Sequence, residues 1–274
     1  MSSDPVNYAK LFGFKSIPAA VVFAACYIPL SILFIPKLIQ HRTYLMLTVT
    51  LFCWIRLGAF GLRTVLIASK SAAENESVFI TDQVLFSIGF FGLLYGAFGL
   101  VVDRLELRES FDSKIRSYHP LNSILRNRKL FHLALTGGMV MGIIGITNST
   151  GSTPSSSGNT LRKASVIVFV VLTLFQAYQT FTLVMAERSE DPEDRVKYLG
   201  NTVGARHGAI IFALVSVLLL VREIYMLATI DSSVKQNKET TWYPFVALPE
   251  LVCVTLYSLP GIIPPRDSYS DIPR

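Results

Sequence analysis

Seven apolar runs alternate with polar, Lys- and Arg-bearing stretches along this chain. They extend roughly over Ile17–Ile35, Tyr44–Ser69, Phe79–Val102, Leu130–Thr147, Ala164–Ala186, Gly208–Thr229 and Trp242–Pro264. Each approaches the ~20 residues a helix needs to cross a bilayer. Backbone groups in lipid must bond within their own segment, and no period-2 alternation suggests barrel strands, so the runs predict helices. The fold expected is an all-α, polytopic bundle of seven transmembrane helices, one domain over residues 1–274. The first run lacks a basic flank and a small-residue cleavage site, and reads as a retained helix.

Composition agrees with the pattern: 51% of residues are hydrophobic and 16% charged, too little polar surface for a soluble domain of this size. Lys and Arg are uneven. The connections 36–43, 103–129 and 187–207 and the tail from Arg266 hold fifteen, and the alternate connections with the N-terminal tail hold seven. The basic excess marks the cytoplasmic side, which puts the N-terminus outside or in the lumen and the C-terminus in the cytoplasm. The net charge of +6 then reflects topology and anionic lipid, not nucleic acid. Sequons at Asn75 and Asn148 fall on the expected outer side and are candidate glycosylation sites. The membrane expected is the endoplasmic reticulum, another endomembrane or the plasma membrane.

Between helices, NSTGSTPSSSGNT reads as a flexible linker. RSYHPLNSILRNRK is expected along the anionic membrane surface, and EDPED (Glu190–Asp194) as a solvated charged loop. Pro244, Pro249 and Pro260 predict a kinked last helix. Gly138 and Gly142 form a GxxxG, which suggests close helix packing. Cys26, Cys53 and Cys253 read as small buried hydrophobes. The four histidines lack metal spacing, and no GxSxG, Walker or GxGxxG pattern occurs, so neither metal nor cofactor is expected.

The candidate chemistry lies inside the apolar runs. Arg56 and Arg63 fall in the second, Asp82 in the third, Arg222 and Glu223 in the sixth and Glu250 in the seventh: three positive and three negative charges. At about 1.5 Å per residue, Asp82 lies about 5 Å from its outer helix end, Arg63 and Glu223 about 9 Å, Arg222 about 10 Å, Glu250 about 12 Å and Arg56 about 20 Å. Unpaired, each costs about 2.5–3.5 kcal/mol at the bilayer centre, so the group must face the bundle interior. Two readings follow: an ionic network that clamps the helices, or a polar pocket open to the outer face. Arg222 and Glu223 are about 100° apart on their helix and need not pair. Glu250 follows Pro249 and is expected to be the carboxyl most exposed to a cavity. Trp54, Tyr95 and Tyr225, with Phe90, Phe91, Tyr178, Trp242, Tyr243 and Phe245, are aromatic candidates for the cavity wall.

The stretches WIRLGAFGLR, LFSIGFFGLLYGAFGLVVDR, LLLVREIYMLATID and TWYPFVALPELVCVTLYSLPGIIPP resemble a large group of fungal seven-helix proteins, labelled receptor-like or similar to lipid-translocating exporters. In size, helix count and lack of a soluble module the chain also resembles the membrane-bound terpenoid cyclases of fungal meroterpenoid pathways, of the ascofuranone type. That resemblance implies metal-free protonation of a terminal epoxide on a prenyl chain, then ring closure. Glu223 or Glu250 would be the proton donor, and Asp82 a second donor or electrostatic partner. Arg56, Arg63 and Arg222 would tune the acids, and the aromatics would shield the cation. The partners implied are a lipophilic small-molecule substrate, membrane lipid and an upstream membrane-bound oxidase or prenyltransferase. A lipid translocator or a receptor-like protein without catalysis is the alternative.

Overall fold

The structure, a computed structural model, describes residues 6–40, 43–111, 126–150, 155–189 and 202–262. Every regular element among them is helical. A short N-terminal turn, α1 (Tyr8–Leu11), precedes α2 (Ile17–Gln40) and α3 (Tyr44–Ala68). A second turn, α4 (Lys70–Ala73), leads into α5 (Glu76–Phe111), followed by α6 (Arg128–Thr150), α7 (Ser156–Arg188) and α8 (Val203–Ala228). Two further turns, α9 (Ser233–Gln236) and α10 (Glu239–Trp242), lead to a π-helical segment, Tyr243–Ala247, and then α11 (Leu248–Tyr257).

Among the described residues six helices, α2, α3 and α5 to α8, are long and apolar enough to cross a membrane. Their outer faces carry large apolar side chains in the open, among them Ile32 at 64%, Leu133 at 69% and Ile210 at 68% exposure. A water-facing surface does not carry such a belt, whereas lipid contact requires it. The chain is a multi-pass membrane protein by this criterion.

Several boundaries differ from the hydropathy reading, for local reasons. The third run extends to Glu76–Phe111 because Asn75 caps it, its Oδ1 accepting from Ser77 N at 3.0 Å and Val78 N at 3.3 Å. Beyond Val102 the Leu, Glu and Arg residues are good helix formers, and no Gly or Pro interrupts them before Phe111. The expected flexible linker is mostly helix: α6 runs to Thr150, and α7 starts at Ser156, capped by Ser155 Oγ on Gly158 N at 3.0 Å. Residues 116–125 of the basic stretch and all of Glu190–Asp194 lie outside the described residues.

The seventh run is the largest correction. It is not one helix over 242–264 but helical backbone from Glu239 to Tyr257, broken by the π turn. Pro249 has no N–H to give the Phe245 carbonyl and its ring needs room there, so the helix widens just before it. The widening sets the direction in which Glu250 leaves the backbone.

Consecutive long helices pack on one another from α2 to α8, save that α5 also reaches α7 and α8. The bundle closes through α11, which contacts α8, α2 and α5. A core of Tyr27, Phe34, Phe52, Phe60, Phe90 and Phe98 fills the interior. The α6–α7 contact is the tightest. Gly138 faces Val168, Gly142 faces Ser165 and Gly145 faces the Arg162 backbone, so one face of α6 is bare of side chains. Ser165 Oγ then reaches the Gly138 carbonyl at 2.7 Å. A Cβ at Gly145 would lie 2.5 Å from Arg162 N, which only movement of one backbone can relieve. Gly145→Ala is expected to cost about 1–3 kcal/mol, as overpacking does, and to lower the melting temperature in detergent. Gly137→Ala, with nothing within 4 Å of the new methyl, is the matched control and should leave it unchanged.

Candidate functional site

The six intramembrane charges form two separate clusters near the end of the bundle that carries α1, α4 and α9. In the first, Arg63 of α3 and Asp82 of α5 make a two-point pair, Nε to Oδ1 at 3.2 Å and Nη2 to Oδ2 at 2.7 Å. Both are buried, at 1% and 0% exposure. Gln83 adds a bond to Asp82 Oδ2 at 3.1 Å. The Arg63 guanidinium stacks among Phe14, Phe86 and Trp242, 4.2–4.5 Å from each ring centre.

In the second cluster, Glu250 Oε1 accepts from Arg56 Nη2 at 2.7 Å and from Arg222 Nε at 2.9 Å. Arg222 also donates from Nη1 to Glu223 Oε1, so the two sequence neighbours do pair. Arg56 further bonds the Phe86 carbonyl at 3.1 Å, and Arg222 lies 3.6 Å over the Phe90 ring. The cluster thus ties α3, α5, α8 and α11 together. Counted as ionised, each cluster is neutral: one against one, and two against two. Gly89 makes room for it, since a Cβ there would lie 2.9 Å from Arg56 Cζ. Gly89→Ala is expected to push Arg56 off Glu250 and lower the melting temperature by several degrees, with Gly96→Ala, whose nearest neighbour would be at 3.9 Å, as the unaffected control.

A cavity of about 90 Å³ lies beside these clusters, between α5, α6, α7, α8 and the α9 connection. It has room for a few waters or the end of a hydrocarbon chain. Phe79, Phe86, Phe90, Phe169 and Trp242 supply apolar wall, and Gln83, Ser87 and Ser165 supply polar wall. Among the described residues the charged ones lining it are Arg63, Arg162, Arg222 and Glu223.

Glu223 is therefore the carboxyl at the cavity, and the expectation for Glu250 is corrected. Pro249 does place Glu250 at a helix distortion, but two guanidiniums draw the carboxylate into the interior, at 1% exposure. Asp82 likewise lies behind Arg63 and is absent from the lining. The aromatic expectations are corrected in part. Trp54 is 55% exposed on the outer face of α3. Tyr95 packs against Tyr44 and His132, away from the cavity. Tyr225 turns its hydroxyl to the carbonyls of Lys235 and Gln236. Tyr178 and Phe245 face outward, and Phe90 and Trp242 do line the cavity. Asn75 and Asn148 are both exposed at this same end.

Two arginines escaped the sequence reading. Arg162 looked like a connecting-loop charge, but α7 starts before it and brings it to the cavity. Arg104 is buried at the opposite end of the bundle, where its Nε bonds Glu187 Oε1 at 2.6 Å and its Nη1 bonds the Gly204 carbonyl at 3.0 Å. The signal for Arg104 was the helix-forming LELRE sequence beyond the hydropathy boundary, and for Arg162 the Ser155 cap that starts α7 early.

No curated protein and no solved structure matches this chain. One family model does, over residues 16–200, which covers α2 to α7 but not the α8 and α11 segments that carry Arg222, Glu223 and Glu250. The chain belongs to that family, described as a domain of unknown function, DUF7702.

Proposed function

We propose that this protein is a seven-pass membrane cyclase whose cavity opens to the lumenal or outer face, with Glu223 as its acid. The helical segment Glu239–Tyr257 is the seventh pass, the N-terminus lies outside or in the lumen, and the C-terminus is cytoplasmic, as the distribution of Lys and Arg favours. The orientation is checked in sealed microsomes with the cytoplasmic face outward. A cysteine at exposed Ser189 is expected to react with an impermeant maleimide, and one at exposed Ser71 only after permeabilisation. The reverse pattern overturns it.

The observation that supports the chemistry is the inequality of the three carboxyls. Glu250 has two guanidinium partners and Asp82 a two-point one, but Glu223 has a single guanidinium and a place on the cavity wall. In its protonated form Glu223 gives a proton to the oxygen of a terminal epoxide on a prenyl chain. The C–O bond breaks, the alkene electrons close the ring, and a proton leaves the last cation for the Glu223 carboxylate. The product is an isomer of the substrate, and no metal or cofactor takes part in these steps. Arg222 holds the resulting carboxylate in place. The substrate is lipophilic, and an upstream membrane-bound oxidase or prenyltransferase would make its epoxide and prenyl chain. An endomembrane location suits such a supply.

A second reading, a lipid-translocating or receptor-like binder without turnover, is favoured by the stacking. Arg63 already occupies Phe86 and Trp242, and Arg222 occupies Phe90, which leaves less aromatic face for a carbocation. Microsomes fed a prenylated phenol with a terminal epoxide decide between the two. Under the cyclase reading a product of unchanged mass forms, and Glu223→Gln lowers its rate by about 10²-fold or more at matched protein level. No isomer from well-folded protein sinks the cyclase and leaves the binder.

A further inference from the structure

Arg162 is the one lining cation of the cavity that none of the preceding chemistry uses. Its guanidinium is half-buried and donates only to neutral acceptors: Ser233 Oγ, the Ile230 carbonyl at 3.0 Å and, at 3.5 Å, Gln236 Oε1. Among the described residues no carboxylate lies within ion-pair reach of it. The adjacent acid, Asp231, is 83% exposed and bonded to Lys163 at 2.5 Å. That bond and the Lys163 charge, with a smaller contribution from the Arg162 charge, hold the Asp231 carboxyl below its usual range, so Asp231 acts on Arg162 only through space while it is bonded to Lys163.

The charge count favours an anion beside Arg162. Counted as ionised, the two clusters behind the cavity sum to zero, and Arg162 adds a positive charge to the lining. A guanidinium taken partly out of water with no carboxylate in contact is costly, and neutral acceptors offset only part of that cost. The surroundings are those of a headgroup site. Gln236, bonded to Arg162, and Ser149 and Asn237 elsewhere in the lining add hydrogen-bonding groups to the cavity, while Phe79 and Phe169 continue as apolar wall.

We propose that the cavity takes an acidic amphiphile, its single carboxylate or phosphate paired with Arg162 and its hydrocarbon chain lying along the aromatic wall. The site does not depend on the cyclase reading, because Arg162 and Glu223 are separate groups on different helices. A carboxylate- or phosphate-bearing substrate and a resident anionic lipid share this chemistry.

The test is thermal melting of the purified full chain in a neutral maltoside detergent. The probes are oleate, dioleoyl phosphatidate, oleyl alcohol and inorganic phosphate. The expected result is a rise of several degrees with at least one of the two acids, and none with oleyl alcohol or with inorganic phosphate. A rise with oleate alone identifies a free acid as the source, and a rise with phosphatidate identifies a membrane lipid. Arg162→Gln is expected to weaken acid binding by about tenfold. Because Arg162 also fastens the α9 connection, Gln236→Glu serves as the second variant. It supplies a carboxylate at a position already bonded to Arg162, and should abolish the acid-specific rise without loss of stability. Glu223→Gln should retain the rise, whether or not turnover exists. An equal rise with oleyl alcohol, or an acid-specific rise retained in both Arg162→Gln and Gln236→Glu, overturns the proposal.

Discussion

Arg222→Met is expected to destabilise the protein by about 3–5 kcal/mol, the usual range when one partner of a buried ion pair is removed. Arg222 is the single link between Glu223 and Glu250, and both carboxyls are at most 2% exposed. Methionine fills similar space and can still pack on Phe90, so the loss is chiefly electrostatic: two carboxylates remain against Arg56 alone. The readout is the melting temperature of the detergent-solubilised protein, or failure to recover a monodisperse species. Arg222→Met/Glu223→Gln restores one charge against one and keeps the Arg56–Glu250 bond. It is expected to recover most of the loss. A double variant no more stable than the single one would mean that Arg222 acts through its contact with Phe90 and not through its charge.

Glu250→Gln is expected to cost far more stability than Glu223→Gln, although the two changes are chemically the same. Glu250 Oε1 receives two guanidinium groups, and an amide in its place leaves both Arg56 and Arg222 short of a full counterion. A loss of about 3 kcal/mol follows from breaking a buried pair. Glu223 shares one guanidinium and borders the cavity, which gives an altered group room to adjust. Its loss is expected near 1 kcal/mol, the scale of one hydrogen bond. Melting curves of the two variants side by side measure the difference. Equal losses, or a greater loss at Glu223, would mean that the charges act as one interchangeable network with no carboxyl set apart for the cavity.

That asymmetry lies beyond the reach of the sequence. Hydropathy located the six spans, because the cost of bare backbone in lipid leaves little choice but a helix. It placed their ends poorly, because it follows side-chain transfer while helix ends follow caps and propensity: Asn75 and Ser155 start α5 and α7 in polar sequence, and LELRE keeps α5 running. The prolines pointed to a distortion before Glu250. They did not say that the backbone would widen into a π turn and deliver Glu250 to two arginines. GxxxG identified the close face of α6, but not that Gly145 would extend it and seat Arg162.

The sequence by itself determined that this chain is a helical membrane protein and that the six charges within its apolar runs are equal in number of each sign. Both follow from one-dimensional quantities, the length of apolar runs and a count of signs, against the high cost of polar and charged groups in hydrocarbon. Only the tertiary structure decided which arginine meets which carboxyl, that Glu223 and not Glu250 borders the cavity, and that Arg162 stands there with no carboxylate in contact among the described residues. Those outcomes depend on helix rotation and packing to within about one hydrogen-bond length. At that scale a guanidinium chooses its partner by direction and distance, which the order of residues along separate helices does not specify.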